Sequence, residues 1–222
     1  MTIAAPHIVP LFATPFGVLS LPRAAAANAG AAALFAARAT PEHRDPASRQ
    51  AQSYRSRDDL LEWPDQPART IVGEMLGGVS AVARALNDFS DSQFATFRVQ
   101  ARAWFSIVRP DGYLASTSYP NTAWCAIYCV ASPAAAGDRY DSGVLRLHEP
   151  GRSTMYSDAT TSLMRQPYLP GHSTWRPVPG EVAVFPGSVV HEIATLRAAA
   201  PLVLITARVR YFGPEQGGTT WW

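Results

Sequence analysis

Side chains suited to proton transfer stand near the ends of apolar runs in the second half of the sequence. His191 follows a run that ends in a Phe-Pro pair, and an imidazole with a reference pKa of about 6.5 can act as a general acid or base. Glu149 closes another run, in which Leu145, Leu147 and Glu149 share one face if the segment is a strand. The leucine face should be the inner one, so we expect Glu149 at the rim of an apolar cavity, where it could exchange protons with a ligand.

Each of these residues also has a simpler structural interpretation. His191 could be a histidine that is hydrogen-bonded in the core, and Glu149 could form an ion pair with a nearby arginine. His148 lies on the opposite face from the leucines and should point outward. His172, in the segment PGHSTW, could complete a metal-binding set with His191 or could be a solvated loop residue.

The basic residues restrict the chemistry and the partners. All 19 of them are arginine, so no lysine can form a Schiff base or act as a general base. The arginines are scattered among acidic residues, the formal net charge is only +2, and no basic stripe is present. This pattern predicts no nucleic-acid partner and leaves a small molecule as the expected ligand.

The two cysteines and the hydropathy indicate the compartment. A strand over residues 124–130 would place Cys125 and Cys129 on one face, about 13 Å apart. A disulfide needs Cα atoms within about 7 Å, so both thiols should stay reduced, as in a reducing compartment. The apolar residues 1–27 contain four prolines and no basic leader, and no run approaches the roughly 20 apolar residues of a membrane span. The sequence predicts a cytoplasmic protein without membrane contact.

Helical and β-like patterns occupy different parts of the chain. Helices are predicted over residues 23–38 and after Asp65, which should cap the second helix, and residues 40–59 are predicted as a polar loop that could form a lid. The apolar stripe of the second helix comprises Ile71, Met75, Leu76, Val79, Val82 and Leu86. Strands are predicted in two pieces over residues 8–21 and over residues 101–108, 124–130, 143–148, 181–185 and 202–211. The whole chain, 1–222, is predicted as one mainly β domain with N-terminal helices, with helical support mainly in 23–90 and a barrel mainly in 94–212.

Four segments carry a family resemblance. They are LFATPFG (11–17), AWFSIVRPDGY (103–113), YPNTAWCAIYCV (119–130) followed by GVLRLHEP (143–150), and GEVAVFPGSVVHEI (180–193). Together they resemble the 2-oxoglutarate/iron(II) oxygenases with a prolyl-hydroxylase-like barrel, and the fourth segment is the most specific. The resemblance implies a double-stranded β-helix of the jelly-roll or cupin-like type.

The resemblance also implies where a metal would bind. Such enzymes hold iron with two histidines and a third ligand on one face of the ion. The first two ligand positions fall on Thr117 and Tyr119, neither of which is a good ligand for iron(II), and the distal position falls on His191. The chain therefore resembles a degenerate member of the family that keeps His191 as its one expected metal ligand.

The anchor for 2-oxoglutarate is replaced as well. The family's Arg-x-Ser pair falls on Leu202 and Leu204, whereas Arg208 and Arg210 follow on the same strand face and could reach a substrate from the other end of the cavity. The residues predicted to bind substrate are Thr117, Arg146, Leu202, Leu204, Arg208 and Arg210.

Three functions stay open at this point. The first is an enzyme that transforms a small molecule of specialised metabolism by acid–base or rearrangement chemistry, with His191, Glu149 and Tyr119 as catalytic residues. The second is an iron-dependent oxidoreductase with an unusual ligand set, and the third is a non-catalytic pseudoenzyme that binds a small molecule or a protein. Trp221 and Trp222 should pack on a core edge or on a partner, and a homodimer is one such assembly.

We predict that 2-oxoglutarate does not bind productively, because two leucines facing a dicarboxylate would leave its charge without partners. Calorimetric titration should detect no tight complex, with or without added iron. A micromolar dissociation constant, or formation of succinate that depends on iron and on the true substrate, would contradict this prediction.

Overall fold

The chain folds into helices and two β-sheets. The structure is a computed structural model, and it describes residues 13–133, 141–150, 164–165, 167–168 and 171–214. The helices are α1 (Pro22–Arg38), α2 (Gln66–Ala85) and α3 (Asp91–Ala95), with a 3-10 turn at Leu60–Glu62. The strands are β1 (Gly17–Ser20), β2 (Ser53–Arg55), β3 (Arg98–Val108), β4 (Leu114–Thr117), β5 (Trp124–Ala131), β6 (Leu145–His148), β7 (His172–Trp175), β8 (Glu181–Pro186), β9 (His191–Ile193) and β10 (Leu202–Phe212).

The strands form a six-stranded major sheet and a four-stranded minor sheet. The order is β1-β8-β5-β10-β3-β2 in the major sheet and β4-β9-β6-β7 in the minor sheet, and the paired strands are antiparallel. The prediction of a mainly β chain with N-terminal helices is therefore confirmed. None of the described helices combines the length and the apolar character that a membrane span requires.

The major sheet has two different faces because side chains alternate along each strand. On β10, Val203 and Ile205 belong to the core that packs against the helices, whereas Leu202 and Leu204 belong to a second core inside the barrel. The helices thus cover the outside of the major sheet, and the minor sheet covers its inside.

The apolar stripe of α2 faces the outer core over most of its length. Ile71, Met75 and Val79 are buried, as the 3.6-residue period predicts. The expected end of the stripe is wrong: the helix stops at Ala85, and Leu86 is its C-cap residue and is 52% exposed.

α2 begins where the sequence predicts, but the predicted capping interaction of Asp65 is absent. Asp65 is the N-cap residue, yet its side chain makes no capping hydrogen bond. Its carboxylate instead lies 3.1 Å from the Arg38 guanidinium at the end of α1. The pair ties the two helices together at the point where the chain enters the second one.

The segment predicted as a polar lid is partly strand, which is a correction to the sequence prediction. Residues 53–55 form β2 at the edge of the major sheet, with Tyr54 buried in the outer core. A strand of three or four residues is too short for its alternation to be detected among polar neighbours. For the same reason β4, β7 and β9 were not predicted. β1 is the second of the two predicted N-terminal strands; most of the first, like the terminal tryptophans, lies outside the described residues.

The two cysteines are free and buried, as their spacing predicts. Both lie on the face of β5 that lines the inside of the barrel, among the apolar side chains of the inner core. Burial raises the pKa of Cys125 and raises that of Cys129 to about 12. Both side chains are therefore neutral thiols at physiological pH.

We predict a large loss of stability when Phe105 is replaced by alanine. The ring is fully buried, and its centroid lies 4.4 Å from Phe35, 5.4 Å from Tyr54 and 5.8 Å from Trp63. Phe105→Ala should lower the free energy of unfolding by about 3–5 kcal/mol, measured by urea denaturation. Val99→Ala on the same face of β3, where the side chain is 49% exposed, should change it by no more than about 0.5 kcal/mol. Equal losses in the two variants would contradict the assignment of the outer core.

Candidate functional site at the barrel mouth

The inside of the barrel is apolar at one end and polar at the other. Along the inner face of β10, Leu202 and Leu204 are packed in the inner core, whereas the next inward residue, Thr206, lines a cavity. This cavity occupies about 350 Å³ at the barrel mouth. The cavity-lining residues that carry polar or aromatic groups include Arg55, Trp104, Ser106, Tyr119, His191 and Thr206.

His191 is held in the wall of this cavity by β9. Its residue is only 4% exposed, and its backbone pairs with Thr117 of β4 and Leu147 of β6. Nδ1 lies 2.9 Å from the Val189 carbonyl oxygen; because a carbonyl can only accept, Nδ1 carries the proton and Nε2 is the acceptor. Nε2 lies 4.0 Å from the Cys125 thiol sulfur.

Burial also decides the charge of His191 and Tyr119. Burial lowers the pKa of His191 from its usual 6.5, and the bond to Val189 offsets this only in part. Burial raises the pKa of Tyr119 to about 12, although the Thr117 hydroxyl and the guanidinium groups of Arg55 and Arg208 act in the opposite direction. The centres of the Tyr119 and His191 rings lie 5.6 Å apart. At neutral pH the site therefore places a neutral imidazole beside a neutral phenol.

Two arginines cover the aromatic side chains of the wall. The Arg55 guanidinium lies 4.3 Å from the centre of the Trp104 ring, and that of Arg208 lies 5.1 Å from the Tyr119 ring. Arg55 forms a hydrogen-bonded ion pair with Asp45, and Arg208 pairs with Asp58 at 3.2 Å. The carboxylates fix both guanidinium groups and offset their positive charge.

Glu149 does not lie in the cavity, which corrects the sequence prediction. β6 ends at His148, so the alternation that places Leu145 and Leu147 inside does not continue to Glu149. The Glu149 carboxylate is exposed and accepts a hydrogen bond from the Gly171 backbone amide at 3.3 Å. It forms a turn contact at the end of the minor sheet and is not among the residues that line the cavity with His191.

Arg146 also lies outside the cavity, on the outer face of the minor sheet. Its guanidinium pairs with Glu192 at 3.3 Å, and Ser116 donates to the same carboxylate at 2.6 Å. These contacts, with the Ser116 bond the strongest, lower the pKa of Glu192. His148 lies on this outer face as predicted, with its Nε2 3.8 Å from Glu192.

The predicted substrate-binding residues of β10 divide into two groups. Leu202 and Leu204 are 1% and 0% exposed in the inner core and do not line the cavity. Arg208 contacts the cavity wall through Tyr119, whereas the Arg210 guanidinium lies 4.8 Å from the ring centre of Phe212. The leucines and arginines share one face of β10 as predicted, but only the part of that face near Arg208 borders the cavity.

Comparison with protein-family models and with curated proteins finds no match, but solved structures show the same architecture. A prolyl 4-hydroxylase from Pseudomonas putida is 16% identical, with a TM-score of 0.55 over 89% of this chain and 93% of the other. The carbocyclase SnoK from nogalamycin biosynthesis is 10% identical, with a TM-score of 0.57 over 88% and 79%. HygX from Streptomyces hygroscopicus, whose structure contains nickel and 2-oxoglutarate, is 12% identical, with a TM-score of 0.54 over 91% and 84%. The chain has the prolyl-hydroxylase fold.

Within this fold, Thr117, Tyr119 and His191 come together as the resemblance implies, but they do not fit an iron ion. Only His191 offers a good ligand atom, and the side chain facing its Nε2 is a buried neutral thiol, that of Cys125. Among the described residues, no group of three or more histidine, cysteine, aspartate or glutamate side chains could hold a metal ion. His172 lies on an exposed strand, β7, and its ring contacts His148 instead of His191. We therefore derive no chemical step through a metal.

Sequence reasoning missed three of the residues that shape this cavity. Arg55 lies in the segment predicted as a loop. Trp104 and Ser106 lie in a segment that carries the family resemblance, but neither was predicted to belong to the site. Alternation along β3 is the signal that could have found them: Trp104, Ser106 and Val108 share the face opposite Phe105.

We predict that His191 makes stability fall at mildly acidic pH. The unfolded chain binds a proton on this imidazole at about pH 6.5, whereas burial lowers the folded-state pKa. Unfolding therefore takes up a proton as the pH falls from about 6.5 through the folded pKa, and stability present above that window is lost within it. Urea denaturation should show this loss in the wild type and a flatter profile in His191→Gln.

The internal control is the difference in unfolding free energy between the two proteins, which should not vary with pH above about 7.5. A difference that also stays constant between pH 7 and pH 5 would show that His191 keeps its usual pKa in the folded state.

Proposed function

We propose that the chain is an enzyme that binds a small organic molecule at the barrel mouth and transforms it by proton transfer, without 2-oxoglutarate. The observation that carries this proposal is the pairing of Tyr119 and His191 in the wall of one cavity, with ring centres 5.6 Å apart. Catalytic acids and bases concentrate where burial changes their proton affinity, and both residues meet that condition.

The two side chains suit opposite roles. The raised pKa of Tyr119 keeps its phenol protonated, so it can donate a hydrogen bond or a proton to a substrate oxygen. His191 is the base: its Nδ1 proton is bound by Val189, which leaves Nε2 to accept a proton. The Val189 carbonyl also stabilises the imidazolium that this transfer forms. A neutral acid beside a neutral base supports redox-neutral chemistry such as an isomerisation or a rearrangement.

The packing of the inner core supports a reaction that does not use 2-oxoglutarate. Leu202 and Leu204, at the positions of the family's carboxylate anchor, pack against apolar neighbours in the inner core. A dicarboxylate placed there would displace packed side chains and find no charge partner. The name of the similar structure SnoK, a carbocyclase of antibiotic biosynthesis, supports a substrate from specialised metabolism.

The test is a screen for small molecules that raise the melting temperature, followed by liquid chromatography with mass spectrometry, which separates an isomeric product of equal mass from the compound supplied. Tyr119→Phe and His191→Gln should each lower turnover by about 10²–10⁴-fold while folding normally. Tyr113→Phe, which removes an exposed hydroxyl, is the matched control and should retain full activity.

Two outcomes would contradict this proposal. Turnover in the Tyr119 and His191 variants equal to that of the wild type would remove both residues from the chemistry. Ligands that bind in the cavity without any conversion would show a binding protein, and conversion that requires added iron and 2-oxoglutarate would restore the ordinary reaction of the family.

A further inference from the structure

Two buried polar atoms in the cavity wall lack hydrogen-bond partners among the described residues. They are Oγ of Ser106 and Nε of Arg55. Ser106 is 1% exposed, and both residues line the cavity. Buried polar groups almost always find a partner, so a ligand oxygen or a water molecule is needed to complete this pair.

The two atoms belong to neighbouring side chains. Arg55 of β2 pairs directly with Ser106 of β3 in antiparallel register, and such pairs place their Cβ atoms about 4.5–5.5 Å apart on one face. The ion pair with Asp45 occupies one terminal nitrogen of Arg55, and the ring of Trp104 lies against the guanidinium. The Arg55 guanidinium is therefore fixed by these two contacts, and its residue lies directly across the strand pair from Ser106.

We propose that Ser106 and Arg55 form a subsite for an oxygen acceptor, a carbonyl or a carboxylate, on the small molecule. This inference rests on the proposed function, because it assigns the polar end of that ligand. Both groups can donate a hydrogen bond, and two donors from adjacent strands suit one oxygen with two lone pairs or the two oxygens of a carboxylate.

The surrounding wall defines the rest of the ligand. Trp104 and Tyr119 meet edge to face with ring centres 5.7 Å apart, and Ile127 also lines the cavity. These side chains offer an apolar and aromatic surface next to the two donors. The ligand class is therefore a planar or aromatic molecule that carries a carbonyl-type oxygen.

The charge around the subsite permits both forms of that oxygen. Asp45 offsets the positive charge of Arg55, so a neutral ketone does not have to compete with a free cation for its place. The exposed Arg49 also lines the cavity and would attract an anion, whereas the carboxylate of Glu192, another lining residue, is offset by Arg146. A pair of probes, one ionised and one neutral, separates the two cases.

The experiment measures binding of benzoate, acetophenone and toluene to the intact protein by ligand-observed NMR titration. Benzoate or acetophenone should bind at least about ten-fold more tightly than toluene, since a site with buried donors favours a ligand that satisfies them. Ser106→Ala should reduce this preference to less than about two-fold. Arg55→Lys keeps a positive charge beside Asp45 but removes the Nε–H, and it should have the same effect.

Melting temperature distinguishes a ligand subsite from a structural role. Ser106→Ala removes a hydroxyl without a partner, so the free protein should melt at the same temperature or higher. Ser80→Ala is the matched control: its hydroxyl lies 2.8 Å from the Tyr211 hydroxyl outside the barrel. That variant should melt at a lower temperature and keep the binding preference of the wild type.

Two results would overturn the subsite. Toluene binding as tightly as both oxygen-bearing probes would refute it while leaving the proposed cavity enzyme intact. A Ser106→Ala variant that melts as low as Ser80→Ala and retains the preference would show that the hydroxyl serves the fold. If none of the three probes binds, the subsite is refuted, and the proposed function is then judged by its own conversion screen.

Discussion

The hydrogen-bonded ladder of β10 organises the whole molecule. This eleven-residue strand pairs with β3 on one side and β5 on the other, and the pleat sends its side chains alternately to the helices and into the barrel. Because β3 and β5 both pair with β10, the side chains of the three strands alternate together. Those that point outward build the outer core, and those that point inward build the inner core. The cavity lies where the inward set changes from leucine to threonine and arginine.

A packed inner core explains why the cavity is confined to the mouth. At the deeper end of the barrel the inward positions carry Leu202 and Leu204 of β10, Val108 of β3 and Cys129 of β5, and close packing leaves no room for a dicarboxylate. The buried ring of His191 keeps its place because β9 is paired on both sides.

The long, strongly periodic elements could be predicted from the sequence, and the short ones could not. β3, β5, β8 and β10 begin or end within three residues of their predicted bounds, because apolar, β-rich runs of six or more residues bounded by turn residues are a clear signal. β2 is a three-residue strand in a polar segment, so Arg55 was missed with it. Glu149 was misplaced for the opposite reason: the alternation was extended one residue past the end of β6. Tyr119 was found only through the resemblance, and His191 mainly through it.

β2 pairs with the rest of the sheet through three residues at its edge. Short edge elements of this kind open at a lower free-energy cost than the whole domain unfolds. When β2 detaches, Arg55 leaves with it, and one side of the cavity is exposed to solvent. An opening equilibrium of this edge would therefore also change the cavity. A ligand that binds only the closed form would shift that equilibrium by mass action, so occupancy of the cavity would also order the segment that precedes α2.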